Sequence, residues 1–105
     1  MKRDPQIAAT VKEIFELIKK VAPGKSVELR IPPYGAIQCV VGSNHKRGTP
    51  PNVVEMSSQV LIQLSSNPKM WSELVAAGHI SASGVASDLS SVFSRLSQHY
   101  PNAEG

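Results

Sequence analysis

Ser26-Val-Glu-Leu-Arg-Ile-Pro-Pro-Tyr-Gly-Ala-Ile-Gln-Cys-Val-Val41 is the stretch that decides the fold. Val27, Leu29 and Ile31 alternate with Glu28 and Arg30, a period of two that turns one strand face to a core and the other to water. Pro32-Pro33-Tyr34-Gly35 reads as a chain reversal. Ala36 to Val41 has strand composition again, with Gln38 as its polar interruption, so the two runs predict an antiparallel hairpin.

Before this hairpin, Ile7, Val11, Ile14, Phe15, Ile18 and Val21 recur at steps of three and four, with Lys12, Glu13, Glu16, Lys19 and Lys20 elsewhere. That spacing predicts an amphipathic helix, capped by Asp4, opened by Pro5 and stopped by Pro23-Gly24. After the hairpin, residues 42–52 show neither helix nor strand periodicity and read as a long loop. Val53 to Met56 is a short strand candidate, and Ser57 or Ser58 caps a helix carrying Val60, Leu61 and Leu64.

Asn67-Pro68 repeats the cap-then-proline start, followed by Trp71, Leu74 and Val75 on one side and a stop at Gly78. His79 to Ser83 alternates and is broken by Gly84, and Leu89, Val92, Phe93 and Leu96 mark a final amphipathic helix. The order is helix, strand, strand, loop, strand, two helices, strand, helix. It predicts an α+β or mixed α/β domain whose helices share the faces of a sheet, with the core between sheet and helices. A chain of 105 residues has room for one such core, so a single domain over 1–105 is expected, ordered over about 4–99 and loose from Tyr100.

An apolar fraction of 41% and a net charge of +3 fit a folded globule, not a disordered or strongly nucleic-acid-binding chain. Aromatic rings are not interleaved with the basic residues: Phe15, Trp71 and Phe93 all fall on apolar helix faces, which argues against nucleic acid. The longest apolar runs, such as Cys39-Val40-Val41, fall far short of the roughly 20 residues of a membrane span. With one cysteine, no intramolecular disulfide forms, and Met1 to Thr10 lacks the pattern of an export signal, so a reducing cytoplasm is expected.

Chemistry is hard to find. His45, His79 and His99 lie in three separate elements without metal-ligand spacing, so neither a metal nor a cofactor is expected. Cys39 sits mid-strand among Ile37, Val40 and Val41, a core position more than a nucleophile's. The serines near the C-terminus lack a Gly-x-Ser-x-Gly elbow. One segment stands apart: His45, Lys46, Arg47 and Thr49 converge around Gly48 and are candidates for holding an anion or a headgroup, against the plainer reading of a solvated loop.

The run from Trp71 to Leu96, read as helix, Gly78, strand, Gly84, helix, resembles the C-terminal half of the sterol carrier protein superfamily. Ser26 to Val41 and His45-Lys-Arg-Gly-Thr-Pro-Pro-Asn-Val-Val-Glu55 look like its small actinobacterial branch, and the second block is the more discriminating. The resemblance covers nearly the whole chain. It implies helices on a curved, mostly antiparallel sheet of about five strands, one more than periodicity finds, the extra strand falling within 42–56. It also implies an apolar cavity between sheet and helices.

That placement makes Val92, Phe93 and Leu96 the leading wall candidates, followed by Met56, Met70, Trp71 and Leu74, with ordinary core packing as the alternative for each. The function implied is non-enzymatic binding or transfer of a fatty acyl or other lipid. The alternative is a stand-alone interaction or accessory module with no lipid transport, working through a protein partner or as a homodimer and related to the domain fused to mycothiol-dependent maleylpyruvate isomerases. A small enzyme working at His45 to Thr49 is the third reading.

Overall fold

A computed structural model describes residues 3–42 and 52–99. Helix α1 spans Pro5–Val21, and its start is fixed locally: the Asp4 carboxylate accepts from the backbone N–H of Gln6 at 2.8 Å and of Ile7 at 3.3 Å. Strands β1 (Val27–Ile31) and β2 (Gly35–Cys39) form the expected hairpin, with Leu29 opposite Ile37 and Val27 opposite Cys39. Tyr34 in the turn is half-buried, and its hydroxyl accepts from the Asp4 N–H at 2.9 Å, tying the hairpin to the start of α1.

Strand β2 ends at Cys39, two residues short of the run that strand composition marks. Val40 adopts φ 68° and bends out of the sheet. It is held there by two hydrogen bonds, from its own N–H to the Ala22 carbonyl at 2.8 Å and from the Ser26 N–H to its carbonyl at 2.9 Å. This corner needs a glycine beside it, because a Cβ on Gly24 would lie 2.1 Å from the Val40 carbonyl oxygen. Val41 is left exposed.

Strand β3 (Asn52–Met56) pairs parallel with β1, and β4 (Ile80–Ser83) pairs antiparallel with β3, giving the sheet order β2-β1-β3-β4. These are the four strands that periodicity finds. Within 42–56 the described residues hold β3 alone, and the rest of the window in which a fifth strand was expected, 43–51, lies outside them.

Helix α2 (Ser58–Ser66) is capped by Ser57, whose hydroxyl accepts from the Val60 N–H at 3.1 Å. Asn67 does not cap by its side chain. A single 3-10 turn, Pro68–Met70, leads instead into α3 (Trp71–Ala76). Helix α4 (Ser90–His99) follows a turn in which the Asp88 carboxylate accepts from the Ser90 N–H at 2.8 Å.

The helices do not divide between the two faces of the sheet. Val27, Leu29, Ile31, Cys39, Val54, Met56 and Ile80 are buried beneath α1, α2 and α4, whereas Arg30, Ala36, Gln38, Glu55, Ser81 and Ser83 leave the opposite face exposed. The result is two layers around one core. Arg30 and Glu28 pair on the open face at 2.8 Å, and this hydrogen bond and charge raise the Arg30 pKa above its ordinary value.

Among the described residues four polar side chains are buried, Ser26, Asn52, Ser65 and Ser87, and Asn52 is the one that joins distant segments. Asn52 is 3% exposed; its Nδ2 donates to the Ser26 carbonyl at 2.9 Å and reaches the Ser26 hydroxyl at 3.4 Å. Its Oδ1 accepts from the Ala86 N–H at 2.9 Å. Asn52 thereby stitches the start of β1 to the loop between β4 and α4, and both its amide nitrogen and its amide oxygen are partnered. Gly84 is required at this junction: it has φ +110°, and a Cβ there would lie 2.2 Å from Asn52 Oδ1.

Candidate ligand-binding site

Helix α4 directs Val92, Phe93 and Leu96 inward because they recur at steps of one, three and four on its sheet-facing side. Met56 comes from the end of β3, and Trp71 and Leu74 from α3; all six belong to one contiguous buried cluster with Val11, Ile14 and Ile18 of α1. The Trp71 and Phe93 rings stack with centroids 6.2 Å apart and planes inclined by 29°. Met70, the seventh residue, sits at the cluster's margin, half-buried, where its sulfur accepts from Gln63 Nε2 at 3.2 Å.

The structure therefore brings together the apolar residues that the sequence singled out. It differs in how open they are. Phe93 and Leu96 have no exposed surface, so in this conformation they are close-packed. Two of the seven reach surface hollows. Trp71 borders one of about 350 Å³ with Pro68, Lys69 and three serines of α4, and Met56 borders one of about 330 Å³ with Pro32, Glu55 and His79.

His45, Lys46, Arg47 and Thr49 lie outside the described residues. A third hollow joins residues that sequence reading did not connect. Leu17, Lys20 and Val21 of α1 and Arg95 and His99 of α4 line a groove of about 550 Å³. Leu17 and Val21 are half-buried and pack against the core from the groove floor, while the three basic side chains are exposed at its rim. The sequence signal was slight: Leu17 falls beside the buried stripe of α1, and Arg95 and His99 are one turn apart on α4.

Reactive groups are sparse among the described residues. No three of His, Cys, Asp and Glu gather into a group that could hold a metal ion. Cys39 is fully buried, and removal from water pushes its thiol up to about 11, far from the thiolate that nucleophilic chemistry needs. No described helix is long and apolar enough to cross a membrane.

A mixed four-stranded sheet with its helices on one face, over a core that is apolar except for Asn52 and three serines, is the architecture of a sterol-carrier-like domain. A solved structure titled "UbiJ-SCP2 Ubiquinone synthesis protein" has this fold, matching with a TM-score of 0.50 and 12% identity over 88% of this chain and 96% of that one. The family model for bacterial SCP orthologs matches residues 3–94, and the chain belongs to that family. A search of curated proteins gave no significant match.

Proposed function

We propose that this protein binds an apolar ligand bearing an acyl chain, between its sheet and helices, and performs no reaction on it. The observation that carries the reading is the presence of Met56, Trp71, Leu74, Val92, Phe93 and Leu96 in one buried apolar cluster of a sterol-carrier-like domain, with Trp71 stacked on Phe93. The wall is apolar throughout, and Met56 and Met70 supply the adaptable side chains that a variable ligand favours. Affinity comes from area removed from water, at about 25 cal/mol per Å². The buried, protonated Cys39 thiol is unsuited to act as a nucleophile on that ligand.

The tight packing of Phe93 and Leu96 favours a second reading, an accessory module that binds a partner protein and no lipid. One experiment separates the two. Protein purified without detergent is analysed by native mass spectrometry and titrated with a fluorescent acyl probe. Lipid binding predicts a co-purifying mass or saturable probe uptake at one site per chain. An empty protein that takes up no probe overturns it.

A further inference from the structure

The groove between α1 and α4 has a composition that the core does not. Its floor is Leu17 and Val21, and its rim is Lys20, Arg95 and His99, with no carboxylate among the residues that line it. Leu17, Lys20 and Val21 share one face of α1 at steps of three and four, and Arg95 and His99 are four apart on α4, so each helix contributes a coherent strip. Among the described residues the ion pairs are Lys19 with Glu16 and Arg30 with Glu28, and neither includes a rim residue.

Cations in the last turn of a helix complement its dipole, which accounts for Lys20 on α1. It does not account for Arg95, which stands a turn earlier and lines the same groove. Lys20 and Arg95 line the groove with no carboxylate among its lining residues, while Glu16 borders the neighbouring hollow with Leu17 and Lys20, so an anion seated between Lys20 and Arg95 is attracted by both. Leu17 and Val21 pack against the buried core, so the groove is also where polar surface meets core between the two helices.

Resting on the acyl-binding reading above, we propose that this groove seats the carboxylate of a monomeric fatty acid on Lys20, Arg95 and His99, with the first part of its chain lying on Leu17 and Val21. Arg95 offers a planar fork that pairs with both carboxylate oxygens, and Lys20 closes from the opposite helix. A volume of about 550 Å³ falls within the range of about 300–1,000 Å³ usual for small-molecule sites. The ligand is thus selected by its head as well as by its apolar length.

The test compares dodecanoate with dodecanol, of equal chain length but without charge, by displacement of a fluorescent acyl probe from the full chain and from the double variant Lys20→Gln/Arg95→Gln. The wild type is expected to bind the acid roughly tenfold more tightly than the alcohol, the gain of one or two charge-assisted contacts. The variant brings that ratio to about one, leaving alcohol affinity unchanged and shifting the thermal midpoint by no more than a few degrees. A wild-type ratio of one, or a variant that keeps the preference, overturns the assignment while leaving acyl binding intact.

Failure of the wild type to bind either amphiphile overturns both readings. Two further arms separate other sources of negative charge. Acetate alone competing as well as dodecanoate would make the groove a simple anion site. Loss of binding to phosphatidylglycerol vesicles in the variant, with a wild-type ratio of one, would make it a membrane contact. Either result overturns the fatty-acid assignment.

Discussion

Replacing Asn52 by alanine removes one side chain and strands two backbone groups. The Ser26 carbonyl loses a donor at 2.9 Å inside the core, and the Ala86 N–H loses an acceptor at 2.9 Å in a partly buried loop. A buried polar group left unpaired costs about 1–3 kcal/mol. The Ser26 carbonyl belongs toward the upper end of that range, and the Ala86 N–H, nearer to water, toward the lower, so the sum is about 3 kcal/mol. For a domain of this size each kcal/mol moves the thermal midpoint by about 4–8 °C, so the variant melts about 12–24 °C below wild type.

The assay is urea unfolding followed by the fluorescence of Trp71, the one tryptophan and a buried one. The midpoint should fall with the slope unchanged, since the native surface is the same. Asn52→Asp provides a control: it keeps an acceptor for Ala86 but at neutral pH buries a charge against the Ser26 carbonyl. Burial raises the folded pKa of that acid, so its deficit should shrink as pH falls toward about 4, where the neutral acid again donates. An alanine variant within about 1 kcal/mol of wild type would refute the claim that this amide holds the junction.

Gly84→Ala should destabilise at least as strongly, since its Cβ would meet Asn52 Oδ1 at 2.2 Å and φ is +110°. Because part of that clash is with the Asn52 side chain, the double variant with Asn52→Ala should lose less than the sum of the two single losses, and strict additivity would count against the contact. Cys39 should resist aromatic disulfide reagents in the native state at pH 8, reacting only as fast as the protein unfolds. Its folded pKa is raised to about 11, so the unfolded thiol ionises first and stability falls as pH rises above about 9. The thiol's share of that loss is about 1.4 kcal/mol per pH unit up to 11. A Cys39→Ala variant with the same alkaline slope would show that other groups carry it.

Elements whose forces are local were legible residue by residue. The cap at Asp4, the cap at Ser57, the stripe of α1 and the β1 alternation each depend on neighbours within four positions, and each stands where its spacing put it. Where the outcome depended on distant partners, the same rules stopped short. Strand composition continues to Val41, yet the strand ends at Cys39 because Val40 is captured by Ala22 and Ser26, residues fixed only once α1 and β1 have met. The apolar wall was legible as a set of residues, since periodicity shows which side of α4 is buried, but not whether that side encloses space or is filled.

The sequence by itself determined the class of the domain, the order of its elements, the inward sides of its helices and the family. These follow from propensity, periodicity and motif, which a chain carries whatever its tertiary arrangement. Only the tertiary structure decided that β3 lies parallel to β1, which brings Asn52 against Ser26, and that all the helices cover one face of the sheet. It alone placed Arg95 beside Lys20. Those two residues are far apart along the chain and carry no mutual signal in it; they meet because two amphipathic helices bury their stripes in one core and their polar margins come together at its edge.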